Sequence, residues 1–161
     1  SERSGTTRVI SRGMATFDTS ILGSGATLSS ATLSLTVLSA DGSSDELYLY
    51  GVSITPAANN SIAIGDYSQL GSSNLFTAAF GQYSISSTVT STQTFSNTTS
   101  INKTGITAIG IKNIKDFNNT EPLDGVWNDL GLAFADQAGT NNDPKLVVTY
   151  TLPTGNFFQM F

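Results

Sequence analysis

The sequence predicts an all-β protein, a sandwich or barrel of short antiparallel strands. Three observations carry this. Apolar and polar residues alternate with a period of two along several segments. Clusters of Gly, Asn, Asp and Ser bound those segments every 8–12 residues or so, the spacing of strands and turns in such folds. No segment holds a helical period over three turns.

The elements follow in order. A first strand is expected over residues 8–17. Asp18 and the Gly-Ser-Gly at 23–25 connect it to the next long strand. Residues 31–38 (ATLSLTVL) give the clearest alternation, with Leu33, Leu35 and Val37 on one face and Thr32, Ser34 and Thr36 toward water. Residues 46–54 set Leu47 and Leu49 opposite Tyr48 and Tyr50, and Gly51 marks a bulge or bend. Residues 56–87 have weaker periodicity and read as long loops plus one or two strands, with Phe76, Phe80 and Tyr83 supplying core. A short helix is placed at 67–70, after the Gly65-Asp66 turn signal. Further strands are expected at 88–95, 105–111 and 131–135. Asn142-Asp143-Pro144 forms a turn before the last strand, because Asn and Asp make side-chain turns and Pro fits a strand start. That strand, 145–151 (KLVVTYT), places Leu146, Val148 and Tyr150 on one face. These three are expected to face Leu33, Leu35 and Val37 across two sheets. There is no internal repeat or break in composition. The expected organisation is one β-sandwich domain over 1–152 and an apolar C-terminal tail over 153–161.

Composition narrows the function. The chain has 161 residues, a net charge of −5, no His and no Cys. Histidine-dependent triads, cysteine nucleophiles, zinc fingers, iron–sulfur sites and disulfides are therefore excluded. Seven basic residues against twelve acidic ones make a poor nucleic-acid ligand, since that affinity comes from neutralising phosphates. No apolar run reaches the ~18 residues of a membrane-spanning helix. Ser and Thr number 22 each and only 12% of residues are charged, so the surface is neutral and hydroxylated. The chain opens at Ser1 without Met or a leader pattern, which is expected of a processed form or a piece of something longer.

Three stretches carry a family resemblance: residues 12–35, 103–122 and 131–151. Phe17-Asp18-Thr19 matches a strand end of the pattern "Phe-Asp-small". The run from Gly25 to Leu35 matches "Gly-Ala-x-hydrophobic-x-x-Ala-x-Leu-x-Leu". Pro144, Leu146, Val148 and Tyr150 match the closing "Pro-x-Leu-x-Val-x-Tyr". Together they resemble the DNRLRE-type β-sandwich domain, grouped with carbohydrate-binding modules and found in secreted, cell-surface and phage or viral proteins. The motif that names that family is absent, and the strand that usually precedes it is truncated or missing. The resemblance implies an antiparallel jelly-roll β-sandwich more firmly than it implies a ligand, because function lives in sites grafted on a fold.

Candidate sites fall into three groups. Asp41, Asp45, Asp136 and Asp143 lie in acidic loops of the kind that hold structural calcium, which takes six to eight oxygen ligands. The plain alternative is that these are turn residues; none of the loops has EF-hand spacing. Tyr48 and Tyr50 would stand side by side on an outer sheet face, with Trp127 in a nearby loop, as a platform for sugar rings. The plain alternative is packing under a loop. The tail residues Phe157, Phe158, Met160 and Phe161 follow the closing strand and its Pro153 breaker. Exposed apolar patches mark interaction sites, so the tail is a candidate for docking on a neighbour, by a groove or by an added strand. Its alternative is folding back on its own sandwich. Four Asn-x-Ser/Thr sequons, at Asn59, Asn97, Asn102 and Asn118, match the number this composition gives by chance.

No acidic pair sits in a recognisable catalytic context. The expectation is a non-catalytic extracellular, cell-surface or virion-surface module acting in assembly, decoration or adhesion. Its partners would be copies of itself or a larger surface assembly. The alternative is a carbohydrate-binding module, with no cofactor beyond a structural calcium.

Overall fold

The structure, a computed structural model, describes residues 2–41, 47–56, 63–81, 88–122, 124–125, 129–135 and 138–153. Statements of absence below refer to these residues. The strands are β1 (Glu2–Ser4), β2 (Thr7–Val9), β3 (Gly13–Asp18), β4 (Thr27–Asp41), β5 (Leu49–Ser53), β6 (Val89–Thr94), β7 (Ile106–Asn113), β8 (Asp129–Leu132) and β9 (Lys145–Thr151), with a short helix α1 (Ile114–Phe117). The short helix expected at 67–70 is present as a 3-10 helix over Ile64–Gln69.

All pairings are antiparallel. One sheet has the order β3-β7-β5. The other is built on β4, whose 15 residues hold three partners. Residues Thr32 to Ser34 pair with both β6 and β9, and Val37 pairs with both β6 and β8. A strand has two hydrogen-bonding edges. β6 therefore occupies one edge of β4, and β9 and β8 share the other. β1 and β2 form a separate hairpin, so the single strand expected over 8–17 is two strands interrupted at residues 10–12.

The two sheets share one core. Leu33, Leu35 and Val37 of β4 meet Leu49 of β5 and Ile109 and Ile111 of β7, all nearly inaccessible to water. Full burial of such a side chain contributes about 1.5–3 kcal/mol. Phe76, Phe80 and Phe95 fill the middle, with ring centroids 5.0 Å apart for Phe76–Phe80 and 4.3 Å for Phe76–Phe95. Segment 71–81 stitches the β5 side to the β6 side. Leu75 N donates to Gly51 O and Phe80 N to Leu49 O, while Thr77 N donates to Thr94 O and Ser96 N to Leu75 O. Of the core residues expected from this middle region, Phe76 and Phe80 are in place; Tyr83 lies outside the described residues.

Three sequence expectations are corrected. Leu146 and Val148 do not face β4 across the core. They lie beside it in the same sheet, opposite Leu33 and Ala31, and Tyr150 is 39% exposed. Thr36 is buried instead of hydrated, its hydroxyl 3.0 Å from that of Thr90. Gly51 makes no bulge; it pairs in register with Ile111. Its hydrogen faces Phe76, whose ring would collide with any Cβ at that position.

Candidate functional site

Two faces of this fold carry candidate chemistry. The first is the outer face of the β3-β7-β5 sheet. Asn113 caps α1, its side chain accepting from Lys115 N at 2.8 Å, and the helix sets Asp116 and Phe117 against the sheet. Asp116 accepts two hydrogen bonds of 2.7 Å from Arg12, in the bidentate geometry that makes guanidinium–carboxylate pairs strong. The same guanidinium donates to Tyr67 O and stands 4.1 Å from the centre of the Tyr67 ring, within cation–π range. The hydrogen bond to Asp116 holds Arg12 above its ordinary pKa, against the opposing effect of burial. Lys112 lies buried in the same region. Desolvation pushes its ammonium below the usual lysine value; Asp116 partly offsets this and Arg12 adds to it. The cluster ties β3, β7, α1 and the 64–69 turn together as a clasp. Sequence reasoning missed it, because its members are far apart in the chain and no motif joins them.

The predicted tyrosines divide on this face. Leu47 and Leu49 are buried, as alternation requires, and Tyr48 and Tyr50 are half-buried. Tyr50 stacks flat on Phe117, with centroids 4.0 Å apart and planes at 4°. Tyr48 precedes β5, and its carbonyl accepts from Ile114 N. The described pair is thus Tyr50 with Phe117. Trp127 lies outside the described residues.

Of the four acidic candidates, Asp41 and Asp143 are described. Asp41 ends β4, exposed and in register with Asp129 of β8. Asp143 lies in the turn before β9, and one of its carboxylate oxygens is buried without a hydrogen-bond partner. Asp45 and Asp136 lie outside the described residues. Among the described residues no three acidic side chains gather as a metal group would need.

The second face is a lateral cleft. β3 pairs only with β7, and β8 and β9 pair only with β4, among the described strands. The unpaired edges of β3 on one sheet and of β8 and β9 on the other border the same gap. Three hollows of about 430, 460 and 440 Å³ run along it. The first lies between Gly13 and Leu132 and shares Phe134 with the second, which is walled by Met14, Ala15 and Pro144. The second shares Thr16 and Phe17 with the third, which ends between Ile21 and Leu22 on one side and Leu146 and Val148 on the other. All six residues of β3 line the cleft. The 3-10 turn Ser20–Leu22 leaves Ile21 87% exposed at its mouth, and Leu152 beyond β9 is 63% exposed. Which edges stay unpaired is not encoded in alternation, so this cleft has no signature in the sequence. The tail residues assigned to assembly, Phe157, Phe158, Met160 and Phe161, lie outside the described residues.

Among the described residues no helix is long and apolar enough to cross a membrane. Comparison with protein-family models, with curated proteins and with solved structures finds no match.

Proposed function

We propose that this chain is a non-catalytic structural module of an extracellular or virion surface, working by assembly, decoration or adhesion. One observation carries the reading: among the described strands, the edges of β3 and β9 stand unpaired on either side of a cleft that is lined by Met14, Phe17, Phe134, Leu146 and Val148 and turns polar toward Arg12, Asn113 and Asp129. Free edges are templates for pairing with another chain, and proteins that do not use them protect them with Lys, Pro or bulges. β3, reading GMATFD, has none of these in its six residues, whereas β9, KLVVTYT, opens on Lys145 after Pro144, so β3 is the less protected edge. The resemblance to DNRLRE-type domains supports a place in a surface protein, and the jelly-roll connectivity it implies belongs to the same proposal. Sedimentation velocity of the full chain across a hundredfold concentration range is the test. The expected result is concentration-dependent assembly; a monomer throughout contradicts the reading.

The second reading is a carbohydrate-binding module. It is favoured by the Tyr50–Phe117 stack, which places two aromatic rings outside the core. Glycan-array binding by the full chain, lost in Tyr50→Ala, is its expected signature. No glycan bound, or binding untouched by the substitution, contradicts it.

A further inference from the structure

The unpaired edge of β3 carries a defined set of hydrogen-bonding groups. In an antiparallel ladder, alternate residues turn their N–H and C=O toward opposite edges. Thr19 N donates to Gly105 O at 3.1 Å, continuing the register that sets Asp18 opposite Ile106. Thr19, Phe17, Ala15 and Gly13 therefore bond toward β7. The far side of the sheet agrees. Leu75 N donates to Gly51 O and Gly71 N to Ser53 O, both away from β7. That leaves Tyr50 and Val52 to bond Lys112 and Gly110, and Ile109 and Ile111 to bond β3. Met14, Thr16 and Asp18 thus aim their backbone groups into the cleft, with no strand partner among the described residues.

We propose that β3 of one copy pairs with β3 of a second copy, antiparallel about a twofold axis at Thr16, so that two β3-β7-β5 sheets join into one of six strands. This rests on the assembly reading above and names its partner. Self-complementarity argues for a second copy. A twofold at Thr16 sets Thr16 opposite Thr16 and Met14 opposite Asp18. The outward N–H groups of these three residues on both copies then all meet C=O groups, whereas a twofold at Ala15 or Phe17 pairs only two of the three within β3. The side chains fit the same register. Asp18, the only charge in β3, lies opposite Met14 and about 14 Å along the strand from its own mate. On the core face Phe17 falls opposite the small Ala15. Thr16 is exposed on the outer face, and facing threonines are a favourable cross-strand pair. The axis also brings the two clefts face to face. Phe17, Phe134, Leu146 and Val148 of both copies, each only partly buried, then line one shared interior. Twofold dimers through one self-complementary patch are the commonest symmetric assembly.

Charge exchange at the axis tests this in the full chain. Thr16→Lys and Thr16→Glu each set like charges directly opposite one another in the pair, and an equimolar mixture sets opposite charges there. Thr16 is exposed, and circular dichroism and melting confirm that both variants are folded. Sedimentation velocity is the readout. The expected result is wild-type assembly, at least tenfold weaker self-association of each variant alone, and recovery of a mixed dimer when the two are combined. Variants that assemble like wild type overturn the β3 pairing while leaving assembly intact. Variants that stay apart on mixing overturn it too. A monomeric wild type overturns the assembly reading, and this pairing with it. Should a charge variant fail to fold, a single cysteine reads the same register, since the chain has none of its own. Thr16→Cys is expected to give a disulfide-linked dimer on mild oxidation, because the Cα atoms of a hydrogen-bonded pair stand about 5.5 Å apart. Met14→Cys is expected to stay reduced, its mate lying about 14 Å away along the strand. Equal cross-linking of the two, or none with Thr16→Cys, overturns the pairing.

Discussion

Arg12 and Asp116, 104 positions apart, are joined by two hydrogen bonds of 2.7 Å, and the carboxylate side chain is only 4% exposed. This pair fastens the start of β3 to the helix that follows β7. It holds in place the strand whose other edge borders the cleft.

Removing the carboxylate leaves the guanidinium short of its partner in a poorly hydrated site. Asp116→Ala is expected to lower stability by about 2–4 kcal/mol, read from urea unfolding. A loss below about 0.5 kcal/mol, the usual effect of a surface substitution, contradicts the clasp.

Lys112 gives a pH signature. Its folded pKa lies below the ordinary value of 10.5, so between the two values the unfolded chain binds a proton that the folded chain does not. Stability therefore rises with pH across that window, and below it the burial penalty is constant. Lys112→Met is expected to exceed wild type most at neutral pH, with the advantage fading toward pH 10.5. Unfolding curves at several pH values check this; an advantage that grows with pH contradicts it.

Asp18 works in the opposite sense. The Ser20 hydroxyl, and then the Ser20 backbone N–H, hold its carboxyl below the ordinary 3.8. Its stabilisation is present above that value and is lost as pH falls through the folded pKa. Ser20→Ala is expected to move the Asp18 titration toward 3.8 in an NMR pH series. An unmoved titration removes the hydroxyl as the cause.

The aromatic core offers a paired test. Gly51 allows the Phe76 ring to lie against the β5 backbone. Gly51→Ala is expected to cost about 1–3 kcal/mol through overpacking, and Phe80→Ala about 3–5 kcal/mol through a cavity. Denaturant unfolding of both variants reads these losses; a neutral Gly51→Ala contradicts the close approach.

The β9 strand shows what was legible in the sequence. Its bounds, 145–151, and the inward lean of Leu146 and Val148 follow from alternation alone. Its neighbour does not, because a period of two assigns a face and not a partner. Alternation alone sets β9 across the core from β4, whereas it lies beside β4 in the same sheet. The same gap hid the cleft, which exists because of which edges remain unpaired. Arg12, Lys112 and Asp116 escaped notice for a related reason. A four-residue helix has no period to detect, and the pairs it creates are long-range. Alternation puts Tyr50 on the face opposite Leu49, but its stacking on Phe117 depends on that short helix.

The most direct measurement is residue-resolved hydrogen exchange of the full chain, dilute against concentrated. Amides with no strand partner exchange quickly, and pairing with a second chain slows them. The expected result is protection gained on concentration at the outward amides of β3 and β9, with β7 and the centre of β4 unchanged. Equal exchange at those two edges in both samples contradicts the claim that they form an interface.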